Sequence, residues 1–112
     1  MIKILLLEEA ASFVRSLDKD AQRRVLRVMD RVRSSQVKDP RLFKKLDREH
    51  DIWEFRIRVG NMHYRLLAFW DASTAQDTLV IATHGFIKKT SKIPRKEIEK
   101  AYKIKKKYLE MK

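Results

Sequence analysis

The sequence predicts an α+β fold, a small antiparallel sheet packed against an N-terminal helical hairpin and a C-terminal helix. Three observations lead there. Apolar residues of the first third recur at helical spacing, those between Trp53 and Ile87 alternate with period two, and those after Pro94 return to a helical stripe. At 112 residues, 44% hydrophobic, with two glycines and two prolines, the chain suits one domain over residues 1–112 with a modest core.

Taken in order, Ile2 to Leu7 is a short run of Ile and Leu, read as an opening strand. Ala10, Phe13, Val14 and Leu17 then fall at i, i+3, i+4 and i+7, one face of a helix. Asp18 suits the N-cap of a second helix, whose apolar stripe is Ala21, Val25, Val28, Met29 and Val32. The stripe breaks near Ser34-Ser35, and Asp39-Pro40 closes it off. Leu42 to Leu46 reads as a weaker strand. Trp53, Phe55, Ile57 and Val59 then alternate with Glu54, Arg56 and Arg58, the pattern of a half-buried strand. Met62 to Trp70 and Thr78 to Ile87 give two more, separated by the polar loop Asp71 to Asp77. Pro94 suits the first turn of the closing helix, striped by Ile98, Ala101, Tyr102, Tyr108 and Leu109.

The pair Gly60-Asn61 fits a two-residue type II′ turn, which fixes the register of the strands beside it. Val59 then faces Met62, Arg58 faces His63, Ile57 faces Tyr64, Arg56 faces Arg65 and Phe55 faces Leu66. One face of the hairpin is a core and the other carries Arg56, Arg58, His63 and Arg65. Like charges facing across a strand pair cost stability. Two readings account for them: a wet face whose arginine stems cover apolar area, or a site short of anions and ready for a phosphate. The second gains from Ile52, Leu67 and Phe69, which the same parity brings alongside as apolar surface. His84, Phe86 and Lys88 share one face of the following strand, but the long loop leaves open whether it is the arginine face.

Charge points the same way. Twenty-seven Lys and Arg against fifteen Asp and Glu give +12, and +8 of it lies in the last 25 residues, Lys88 onwards. Such a balance suits a large polyanion. Other chemistries find little support. No cysteine supplies a disulfide or thiol nucleophile, which suits a reducing cytosol. His50, His63 and His84 lack metal-ligand spacing, so no metal or other cofactor is expected, and glycines at 60 and 85 alone exclude a glycine-rich phosphate loop. Met1 to Leu7 is too short for a signal h-region, and no apolar stretch approaches the roughly 20 residues of a membrane span. A soluble cytoplasmic protein without a membrane partner is expected.

The run "WEFRIRVGNMHYRLLAFW", followed by "LVIATHGFIKKTSKIPRKEIEKAYKIKKKY", resembles the RelE/ParE superfamily of type II toxins, in particular its phage-derived HigB-like branch. The resemblance spans nearly the whole chain, and "HGFxKK" before a Pro-led basic helix is its specific part. It implies a ribosome-dependent mRNA endonuclease silenced by a cognate antitoxin of helix-turn-helix type, with ribosome and mRNA as further partners. Residues that match the family's phosphate-facing positions are Arg56 and Arg58, then Arg65, then Lys88 or Lys89. Arg65 is the first expectation for stabilising charge, and Arg65 and Arg56 are expected to be replaceable without loss of fold. Lys88, Lys89, His84 and His63 are candidates for proton transfer. Arg58, His63, Phe86, Lys92, Arg95 and Lys96 are candidate RNA contacts. RelE-type members carry a tyrosine near the C-terminus, for which Tyr102 is a loose positional match, and the Asp-Tyr-His cluster of other HigB proteins is absent. The acid and base therefore stay open. Two other readings remain: a ParE-like, non-catalytic inhibitor of DNA gyrase, and a basic RNA-binding module without toxicity.

Overall fold

The computed structural model describes residues 2–35, 39–72 and 79–111. Along them run β1 (Lys3–Leu6), α1 (Glu8–Ser16), α2 (Lys19–Ser34), β2 (Phe43–Asp47), β3 (Ile52–Val59), β4 (Met62–Asp71), β5 (Leu79–Ile87) and α3 (Arg95–Glu110). The expected first residue of the last strand, Thr78, and most of the loop 71–77 lie outside the described residues.

Local chemistry sets several boundaries. Asp18 caps α2, its carboxylate accepting the Ala21 amide at 2.8 Å. Gly60 takes φ +59° while Asn61 keeps a negative φ, as a type II′ turn requires. The register follows as the turn demands, from Val59 opposite Met62 to Phe55 opposite Leu66. The strands form one sheet in the order β1-β5-β4-β3-β2. It is antiparallel except at one edge, where β1 runs parallel to β5.

Helices cover both faces. On one, α1 and α2 bury Phe55, Ile57, Leu66, Ala68, Val80 and Ala82 beneath Ala10, Ala21, Val25, Val28 and Met29. On the other, α3 sets Ile98 and Ala101 against Ile52, Leu67, Phe69 and Ile81. The expectation that Ile52, Leu67 and Phe69 form open apolar surface beside the arginines is therefore overturned: all three are fully buried. Fully burying each such side chain contributes about 1.5–3 kcal/mol, which favours α3 lying across them. Polar contacts hold the helix in place: Lys105 Nζ donates to the His50 carbonyl at 2.8 Å, Tyr108 Oη to Asp71 Oδ2 at 3.2 Å, and Lys100 pairs with Glu9 at 2.8 Å.

Gly85 marks a close approach between layers. A Cβ there would lie 2.2 Å from the Phe13 ring of α1 and 2.8 Å from Leu66 Cδ2. Gly85→Ala is expected to lower stability by about 1–3 kcal/mol, the usual cost of overpacking. Urea denaturation measures this, and Phe13→Leu in the same chain should recover part of the loss.

Candidate functional site

Because α3 covers one end of its face of the sheet, the end nearest the β3–β4 turn stays open. Side chains of one parity project there. Arg56 lies opposite Arg65 and Arg58 opposite His63. On β5, Phe86 lies opposite Arg65 and His84 opposite Leu67, which places both on the arginine face. Beyond the strand end the Lys88 amide donates to the His63 carbonyl at 2.7 Å, so Lys88 continues the same edge.

The arginines do not face each other unaided. Glu54, one step along β3 on the same parity, is 3% exposed, and its Oε1 lies 2.9 Å from Arg65 Nε and 3.9 Å from Arg56 Nε. Arg65 is itself 3% exposed and donates through Nη1 to the Tyr64 carbonyl at 3.0 Å. Its Nε is an ion-pair partner of the buried Glu54 carboxylate. Burial pulls the Arg65 guanidinium below its usual value, the Glu54 carboxylate opposes that pull, and Arg56 adds to it. A site short of anions is thus corrected to one organised around a buried carboxylate. For the same reason, replacement of Arg65 is expected to lower stability, since it strands the Glu54 charge.

Between this pair and the start of α3 opens a cleft of about 310 Å³. Five cations, Lys44, Arg56, Arg65, Lys88 and Lys92, line it with Glu54, over an apolar floor that includes Ile93 and Ile98. Four expected site residues therefore meet: Arg56, Arg65, Lys88 and Lys92. The others lie elsewhere. Arg58 is exposed nearer the turn, its Nε donating to the Gly60 carbonyl at 3.1 Å, with His63 half-buried opposite it. Lys89 and Lys96 are exposed and outside the lining. Arg95 is engaged by Asp47 and Glu49 at 3.2 and 3.3 Å. Phe86 packs against the core under α3. His84 is 3% exposed there too, with Nε2 3.0 Å from Glu97 Oε1 and Nδ1 3.1 Å from Thr83 Oγ1. Both its nitrogens are occupied away from the cleft. Tyr102 stacks on His50 at 3.8 Å between centroids, also outside it.

Glu54, Lys44, Ile93 before α3 and Ile98 within it were absent from the expected site. The alternation Glu54, Arg56, Arg58 carries the signal for the first. Among the described residues no group of His, Asp and Glu is arranged to hold a metal. The cleft's chemistry is that of cations gathered for an anion, with the Glu54 carboxylate in the lining and the His63 imidazole outside it, toward the turn. Desolvation first, then the charges of Arg58, Arg65, Lys88 and Arg56, push the His63 imidazole below its usual value. Both effects favour its neutral form.

The family profile described as phage derived protein Gp49-like matches residues 12–106. No curated protein matches the chain. A chain in the crystal structure of the intact E. coli RelBE toxin-antitoxin complex is similar in fold, with TM-score 0.53 and 14% identity over 82% of this chain and 100% of that one.

Glu54→Gln, which leaves Arg65 buried without a counter-charge, should cost about 3–5 kcal/mol. Asp20→Asn at the exposed Arg23–Asp20 pair should cost under about 1 kcal/mol. Chemical denaturation of both variants measures the contrast. In an NMR titration His63 should protonate below the ordinary 6.5, moving upward when an oligonucleotide binds, because phosphate favours the imidazolium. By linkage, affinity for that oligonucleotide strengthens as pH falls through the His63 range.

Proposed function

The chain belongs to the phage-derived Gp49-like family, and from that premise we propose that it is the toxin of a toxin–antitoxin pair, a ribosome-dependent endonuclease of mRNA in the HigB-like manner. The observation that carries this reading is the cation-lined cleft built on the buried Glu54–Arg65 pair. Its fold likeness to a chain of a toxin–antitoxin complex agrees with it.

The reaction needs no metal. The ribose 2′-oxygen attacks the adjacent phosphorus, the bond to the 5′-oxygen breaks, and the products are a 2′,3′-cyclic phosphate and a 5′-hydroxyl. One proton leaves the 2′-hydroxyl and one reaches the departing 5′-oxygen. Arg65 and Arg56 hold the phosphate oxygens and stabilise the charge that develops on them, since guanidinium stays protonated and grips bidentately. Arg65 is held in place by Glu54, so its fork is oriented before substrate arrives. Lys88 in the lining supplies the proton to the leaving oxygen. The 2′-proton goes to His63 beside the cleft or to Glu54 within it; His63 is the better base because desolvation and then its cationic neighbours favour the neutral imidazole, whereas Glu54 is committed to Arg65. His84 serves the fold, as its ring is enclosed by Glu97 and Thr83. The partner that silences the activity is a cognate helix-turn-helix antitoxin; the site of action is the cytoplasmic ribosome.

The test is cleavage of a translated message on ribosomes, mapped by primer extension. The wild type should cut, and Arg56→Gln should cut about 10²–10³-fold more slowly, the scale of losing one donor to a developing oxyanion. His63→Gln should remove the acidic limb of the pH–rate profile. Absence of cutting by the wild type, together with inhibition of gyrase supercoiling, would replace this reading with the ParE-like one.

A further inference from the structure

Around the edge of β3 from the cleft lies a second concavity of about 370 Å³, between α2 and β3. Arg24, Arg27 and Arg31 enter it from α2, Arg56 and Arg58 from β3, over Val28 and Leu42. Along α2 the arginines divide by partner. Arg23 and Arg33 are neutralised within the helix by Asp20 and Asp30. Arg24, Arg27 and Arg31, spaced i, i+3 and i+7 toward the groove, are exposed and make no ion pair among the described residues. Arg58 likewise pairs with no carboxylate there and touches the Gly60 carbonyl instead. The carboxylate in the lining, Asp39, is taken up chiefly by Arg41 at 2.9 Å, with Arg31 a weaker charge partner beyond ion-pair distance. The paired Arg23 and Asp20 share an adjoining concavity with Arg24, Arg27 and Arg58, so the face carries three unpaired helix arginines in excess of its carboxylates.

The three arginines rise about 10 Å along the helix, enough for roughly three phosphates of a strand. Arg56 lines both this groove and the cleft. We infer that the α2–β3 groove is a second phosphate-backbone site continuous with the cleft through Arg56, so that one single-stranded RNA crosses the β3 edge and occupies both. Guanidinium forks suit phosphate oxygens, and a groove recognising backbone alone adds affinity without base preference. An acidic peptide would meet the same charges, but nothing then requires the groove to open into the cleft at Arg56.

The inference rests on the cleft holding RNA phosphate, and its test needs no cleavage. Fluorescein-labelled oligouridylates of increasing length are bound to the full chain and followed by anisotropy at several salt concentrations. In the wild type, affinity should climb past the length that fills the cleft alone. In the triple variant Arg24→Gln, Arg27→Gln, Arg31→Gln the climb should stop at that length, and the slope of log affinity against log salt should fall by about 2, from about 0.7 per lost phosphate contact. These surface changes leave the core intact, which circular dichroism and thermal melting verify. An unchanged slope and length dependence in the variant would overturn the inference. So would polyglutamate binding as tightly as RNA and being lost equally in the variant. A wild type that cuts no message yet shows the length step leaves the track standing and overturns only the nuclease.

Discussion

The buried ion pair between Glu54 and Arg65 is the constraint on which the open end of the sheet depends. The type II′ turn at Gly60 leaves no freedom in register, so Arg56 must oppose Arg65. Arg65 is 3% exposed, and water cannot screen its charge as it does for Arg58 at the surface. A carboxylate on the same parity, one step along β3, turns that repulsion into a bridge with Glu54 between two guanidinium groups. Such a pair need not add net stability over an apolar replacement, but half of it is costly. What it secures is orientation: a guanidinium pinned on one side presents its remaining donors in a fixed direction.

The C-terminal helix gives the pair its setting. By burying Leu67, Phe69 and Ile52 it divides one sheet face into a core half and a charged half. The boundary between them falls at the cleft, where Ile93 and Ile98 supply an apolar floor and Lys88 and Lys92 a cationic rim. The same helix encloses His84 with Glu97, and burial, only partly offset by Glu97, pushes that imidazole below its usual value. Desolvation lowers both histidines of the face, but their settings differ: His84 is enclosed as part of the scaffold, and His63 is half-buried among cations that add to the shift.

Much of this was legible in the sequence, and the gaps have physical causes. Period-two alternation and Gly60-Asn61 give β3, β4 and their pairing residue by residue, because a two-residue turn admits one register. Asp18 and the stripe from Ala21 to Val32 give α2 and its cap. The face of His84 was not legible: a long connection precedes β5, and a bulge between Leu67 and Ala68 breaks the parity count. The docking of α3 was hidden as well, since a strand with apolar residues on both faces reads as exposed on one until its cover is known. Glu54 was within reach, sharing the parity of Arg56 and Arg58, but reading that face for cations alone passes over the anion that lets them coexist.

The most direct measurement of this account is a double-mutant cycle at Glu54 and Arg65, using Glu54→Gln, Arg65→Met and the combined variant, with stability read by urea denaturation. The account predicts strong coupling, with the double variant more stable than the sum of single losses implies by about 2 kcal/mol or more, since removing both charges strands neither. Additivity within about 0.5 kcal/mol would contradict it, showing that the two charges do not depend on each other.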